Sequence, residues 1–220
     1  MARTTALQEN VTRVAPPAAP PLVYRLLRDP VRRVLERHFD FRVEGVEHLP
    51  VTGPVIIAAN HHNYLDGVVL AAAVARPIAF LVMPRVWRAT PLHPLLHRHI
   101  GSIPLRLSRP DVGALRRALA VLADGGAIGI FPEGPFSVRG QLEPGLPGVG
   151  LLAMRSGVPV VPAAIRGTYA ALVGRRAYVP RRHPLAVRFG PVRRFKHEGG
   201  RAARADATQR IMDDIAALLC

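Results

Sequence analysis

Two residues in this chain have the types and spacing for proton transfer: His61 and Asp66, within Asn60-His61-His62-Asn63-Tyr64-Leu65-Asp66-Gly67. The apolar run from Pro54 to Ala59 reads as a short buried strand, and Val68 to Ala75 reads as a helix. Residues sharing a helical face lie three or four apart. His61 and Asp66 lie five apart, so they meet only if His61 sits on the turn and Asp66 opens the helix. A carboxylate bonded to an imidazole fixes its tautomer and stabilises the imidazolium formed when a proton is taken. The chemistry implied is activation of a hydroxyl. The pair alone does not decide it, because Asp66 equally suits a helix N-cap, with His61 a polar loop residue, and the chain holds nine histidines. His62, four from Asp66, is an alternative base.

The elements that must position these residues alternate between apolar runs and amphipathic segments. Phe41 to Gly45 alternates like an edge strand, and Ile78 to Val82 reads as a buried one. Asp111 opens a helix with Val112, Leu115, Leu119 and Leu122 on one face, closed by Gly125-Gly126. The strand Ala127 to Phe131 follows. Gly140 to Pro147 is loop, Gly148 to Ser156 helix, and Val158 to Ile165 a strand whose Pro159 and Pro162 belong near its ends or at an edge. A last strand, Leu185 to Phe189, precedes a helix from about Ala202. The pattern predicts a single α/β domain with a largely parallel sheet flanked by helices. Ligands of such sheets bind beyond the carboxyl ends of the strands, where His61 and Asp66 follow one strand and Glu133 and Gly134 another.

Residues 1–20 are Ala/Pro-rich and read as a disordered tail, leaving residues 21–220 as the folded domain. From Pro21, Leu22, Val23, Leu26, Leu27, Val31, Val34, Leu35 and Phe39 recur at helical spacing among arginines, with Pro30 expected to kink or split the helix. Such a basic amphipathic helix suits an anionic membrane surface, and a helix packed on the domain with a solvated arginine face gives the same pattern. The segment Val86 to Ile100, with Trp87 among leucines, arginines and histidines, suits a lipid interface, an acyl tunnel or the core.

The formal charge of +15 favours anionic partners, although Lys196 is the only lysine and the bias toward Arg, Ala and Pro limits what charge says about a site. No nucleic-acid-binding module is recognisable, so nucleic acid is not expected as a partner. The single cysteine, Cys220, excludes an intrachain disulfide and a cysteine metal cluster. Adjacent His61 and His62 side chains diverge and a second His cluster is missing, so no metal is expected. The first twenty residues lack the apolar core of a signal peptide, and the apolar region from Gly67 to Pro84 is broken by Arg76-Pro77, leaving each part too short to span a bilayer.

Three further blocks follow in order: Gly101-Ser102-Ile103-Pro104-Leu105-Arg106, Phe131-Pro132-Glu133-Gly134, and Val158-Pro159-Val160-Val161-Pro162-Ala163-Ala164-Ile165. With the Asn60 to Asp66 block they resemble the glycerolipid acyltransferase family, which includes the lysophosphatidic acid acyltransferases. The resemblance runs from about Phe41 to Ile165. It implies transfer of a fatty acyl group from acyl-CoA or acyl carrier protein, as co-substrate, to the hydroxyl of a lysophospholipid, with lysophosphatidic acid first among acceptors. It assigns His61 as base and Asp66 as its orienter, with Asn60 supporting the turn. Asn60, Arg106, Glu133, Gly134, Ser137 and Arg139 then face the acceptor, with Glu133, unsuited to an anion, expected to hold a backbone turn or an Arg, or to bond a glycerol hydroxyl. No other cofactor is implied, and the protein is expected peripherally on the cytoplasmic side of the cell membrane. The alternatives are a noncatalytic lipid-binding protein of the same fold and an acyltransferase for an acceptor without phosphate.

Two departures bear on the acceptor. The second block usually ends in an acidic or small residue followed by Arg, whereas here Arg106 comes one place early and Leu107 follows, with Arg109 beyond. After Glu-Gly the family usually carries Thr, a variable and often basic residue, and Ser; this chain carries Pro135-Phe136-Ser137, with Arg139 two further on.

Overall fold

The computed structural model describes residues 22–87, 102–105, 111–137, 139–172, 179–196 and 199–220. The tail of residues 1–20, Arg106, Arg109 and most of the Val86 to Ile100 segment lie outside the described residues.

The strands are β1 (Arg42–Glu44), β2 (Val55–Ala59), β3 (Ile78–Val82), β4 (Ile103–Pro104), β5 (Ala127–Ile130), β6 (Val160–Arg166) and β7 (Ala186–Phe189). They form one sheet in the order β1-β7-β6-β2-β5-β3-β4. Strands β6, β2, β5, β3 and β4 pair in parallel, while β7 runs antiparallel to β6 and parallel to β1. The sheet is therefore mixed but mostly parallel, with β1 at an edge as its alternation predicts. Helices α1 (Leu22–Phe39), α2 (Leu65–Ala73), α3 (Pro84–Trp87), α4 (Val112–Ala123), α5 (Gly148–Ser156), α6 (Thr168–Ala171) and α7 (Arg201–Leu219) complete the described elements.

Both faces of the sheet are covered, which is why β2 is apolar at every position and buried throughout. Val55, Ile57 and Ala59 point into one core with Val69 and Leu70 of α2 and Leu35 of α1. Ile56 and Ala58 point into the other, with α4, α5 and α7. Arg76 ties the loops beneath, donating to the carbonyls of Gly53 and Gly125 at 2.6 Å each.

Several elements depart from sequence expectation. Helix α1 continues unbroken through Pro30, held before the proline by the Tyr24 hydroxyl donating to Ala71 O at 2.9 Å and after it by buried Leu35. Helix α2 begins three residues before the apolar run, where Asn63 Oδ1 accepts the Leu65 N–H at 2.9 Å. On α4 the buried face is Ala114, Ala118 and Leu122, while Val112 is exposed; small residues let this helix sit close to the sheet and α5. Pro162 is interior in sequence and in the sheet, between β7 and β2. It is tolerated because β7 pairing ends at Ala163 opposite Phe189, and the Pro162 carbonyl accepts only the Gly190 N–H. Strand β4 is too short to show a period.

Gly150 marks the closest approach of α5 to α7. A Cβ there would collide with the backbone carbonyl of Arg204 and lie 2.6 Å from Thr208 Oγ1. Gly150→Ala should therefore destabilise the fold by about 1–3 kcal/mol through overpacking, read as a lowered midpoint in urea denaturation.

Candidate active site

The turn after β2 folds around one carboxylate. Asp66 is fully buried, and its Oδ2 accepts from the His62 N–H at 2.6 Å and the Asn63 N–H at 2.7 Å. The same oxygen is 2.9 Å from His61 Nδ1. These bonds curl residues 61–63 around the first turn of α2 and bring two residues five apart into contact. With Nδ1–H donating to the carboxylate, the lone pair lies on Nε2, the atom free to act as base. Asp66 is thus both the turn-former and the imidazole's partner, but from the first turn of α2 and not as its N-cap, a position Tyr64 occupies.

His61 is packed between rings. It stacks on Phe131 with centroids 3.9 Å apart and planes 7° from parallel, and Phe136 meets it edge-on at 4.5 Å. Phe131 follows β5, the neighbour of β2, so the pairing of those two strands delivers ring to ring. Phe80 of β3 lies parallel beyond Phe131 at 6.0 Å, and Tyr64 meets Phe136 at 4.6 Å.

Glu133 lies behind the histidine, 4% exposed. Its Oε1 accepts the His61 N–H at 2.6 Å and its Oε2 the Glu143 N–H at 2.7 Å, joining the two turns and the following loop. Burial pushes this carboxyl up to about 7, against the opposing pull of the two N–H donors. Gly134 takes φ +76°, and its N–H donates to Phe131 O at 3.0 Å. Ser137 N–H donates to His61 O at 2.8 Å, and Ser137 is itself buried. Arg139 is exposed and pairs with the Glu143 carboxylate at 3.2 Å.

Asn60 points the other way. Its amide donates to Ile165 O at 2.9 Å and accepts the Ile165 N–H at 2.7 Å, locking the end of β2 to β6 in a fully buried position. The alternative base, His62, touches Asp66 through its backbone only; its ring meets Tyr169 edge-on and burial pushes its pKa down. The structure thus brings His61, Asp66, Glu133, Gly134 and Ser137 together, places Arg139 at the rim with its own partner, and turns Asn60 inward. Among the described residues no group of three or more His, Cys, Asp or Glu is placed to hold a metal.

A sequence model of the acyltransferase family matches residues 40–166, more than half of the chain. The chain belongs to the acyltransferase family. The match takes in β1 to β6 and the whole constellation around His61, and leaves α1, β7 and α7 outside it. This chain is 29% identical over 129 residues to 1-acyl-sn-glycerol-3-phosphate acyltransferase BAT2, chloroplastic, of Brassica napus, covering 57% of this chain and 37% of that protein. It is 22% identical over 146 residues to the 1-acyl-sn-glycerol-3-phosphate acyltransferase of Bacillus subtilis, covering 66% of this chain and 72% of that one. The match thus spans little more than a third of the plant relative's length. The fold is shared with the crystal structure of the 1-acyl-sn-glycerophosphate acyltransferase PlsC from Thermotoga maritima, at a TM-score of 0.72 and 23% identity over 90% of this chain and 81% of that one.

Sequence reasoning named the Phe131 to Gly134 block without giving Phe131 a role, and it missed Glu143 and Tyr64. Phe131 is legible only once β2 and β5 are known to be neighbours. Glu143 contributes a backbone N–H, which carries no residue signature.

The raised Glu133 pKa has a stability consequence. Between the ordinary value of 4.5 and about 7 the folded state holds a proton that the unfolded state has released, so its stability falls as pH rises through that window and levels off above it. The urea midpoint of the wild type should decline from pH 5 to 7, and Glu133→Gln should flatten that decline.

Proposed function

We propose that the protein transfers a fatty acyl group from an acyl thioester, acyl-CoA or acyl carrier protein, to the free hydroxyl of a lysophospholipid-type acceptor. The observation that carries this reading is the buried Asp66–His61 pair with Nε2 left as a base, set in the family's motif order. In the reaction, His61 Nε2 takes the hydroxyl proton as the acceptor oxygen bonds to the thioester carbonyl carbon. Asp66 stabilises the imidazolium. Collapse of the tetrahedral intermediate breaks the carbon–sulfur bond, and the imidazolium proton passes to the departing thiolate. No protein nucleophile is needed. Lysophosphatidic acid is the reference acceptor, because the Brassica and Bacillus relatives are named as 1-acyl-sn-glycerol-3-phosphate acyltransferases.

The reading includes peripheral docking on an anionic membrane through α1. Leu27, Val31 and Val34, spaced four and three, form an exposed apolar stripe with Leu26 beside it, and Arg33 and Arg37 are exposed near them. An apolar stripe with flanking arginines suits the boundary between headgroups and acyl chains. No described helix is long and apolar enough to cross a membrane.

Two measurements test the proposal. Thiol release from oleoyl-CoA with a lysolipid acceptor should fall about 10²–10⁴-fold in folded His61→Ala; undiminished turnover there would refute the mechanism. Co-sedimentation with phosphatidylglycerol vesicles should weaken about tenfold or more in the double variant Leu27→Asp, Val34→Asp, which alters only exposed positions.

A further inference from the structure

Within the block Gly134-Pro135-Phe136-Ser137 the Phe136 ring is 9% exposed, edge-on to the catalytic imidazole at 4.5 Å and to Tyr64 at 4.6 Å. The wall beside the base is therefore aromatic. The rest of the block offers little to an anion. Pro135 has no N–H, the Gly134 N–H is held by Phe131 O, and the Ser137 N–H by His61 O. Its one arginine among the described residues, Arg139, is paired with Glu143, and beneath lies the Glu133 carboxyl, both of whose oxygens are taken by backbone N–H groups. A phosphomonoester brought against this wall would lose water and gain no charge-assisted hydrogen bond from the described residues of the block.

We infer that Phe136 is a specificity-determining residue that makes the acceptor wall beside His61 apolar. It selects a lysolipid whose substituent next to the reacting hydroxyl is uncharged over one that presents a phosphomonoester there. The inference rests on the acyl-transfer reading and replaces its lysophospholipid acceptor with an uncharged lysolipid. A neutral monoacylglycerol fits this wall, its glycerol carbons against the Phe136 and Tyr64 rings and its hydroxyl at His61 Nε2. The step is the one already written, with the same proton path and the same broken carbon–sulfur bond.

The test compares kcat/KM for monoolein and for oleoyl-lysophosphatidic acid, with oleoyl-CoA as donor, in wild type, Phe136→Arg and Phe136→Leu. Wild type should prefer monoolein by about tenfold, roughly the value of one charge-assisted hydrogen bond withheld from phosphate. Phe136→Arg should shift the ratio toward lysophosphatidic acid by about tenfold or more, and Phe136→Leu should leave it near the wild-type value. Equal or better use of lysophosphatidic acid by wild type would overturn the inference, whether or not the arginine variant folds. So would an unchanged ratio in a folded Phe136→Arg. Absence of transfer to either acceptor, from oleoyl-CoA and from oleoyl-acyl carrier protein alike, would overturn the acyl-transfer reading itself, and the inference with it.

Discussion

One carboxylate oxygen, Oδ2 of Asp66, receives two backbone N–H groups and the imidazole, and the active-site turn exists because all three converge on it. The two N–H donors belong to His62 and Asn63, which would otherwise be unsatisfied donors ahead of α2. Capping the turn and orienting the base are thus one event. The oxygen bonded to the imidazole is itself held by two backbone N–H groups, not by a mobile side chain, which keeps the His61 ring in place.

A second carboxylate secures the same histidine from behind. Glu133 takes the His61 N–H on one oxygen and the Glu143 N–H on the other, so the end of β2, the end of β5 and the following loop move as one unit. Burial and hydrogen bonding oppose each other at this group, and burial wins, with the carboxyl raised to about 7. A carboxylate so occupied organises backbone. What this backbone displays beside His61 is Phe131 on one side and Phe136 on the other.

Much of this frame rests on long-range contacts that are weak individually and specific together. Asn60 bonds both backbone groups of Ile165, and Asn63 donates to Thr168 O at 2.8 Å, so the residues flanking His61 are anchored to β6 and α6, more than a hundred positions along the chain. The polar side chains of the motif divide accordingly: Asn60 and Asn63 face inward as fasteners, and the histidine alone among residues 60–63 has a ring nitrogen bonded to a carboxylate.

The sequence alone determined the strand-turn-helix around His61, the α/β class, most strand positions and the meeting of His61 with Asp66. Each of these follows from local period and from spacing within a few residues. The order of blocks likewise determined the family. Tertiary structure decided which strands are neighbours, and hence that Phe131 stacks on His61; it decided that Ala114 and Ala118, not Val112, face the core, and that Pro162 lies in an interior strand. It also turned Asn60 inward onto Ile165 and decided which backbone groups Glu133 holds, the N–H groups of His61 and Glu143. The physical reason is common to all of them. Sheet order, close helix contact and pairing with backbone N–H groups depend on what a residue meets across the fold, and residue type along the chain does not encode the partner.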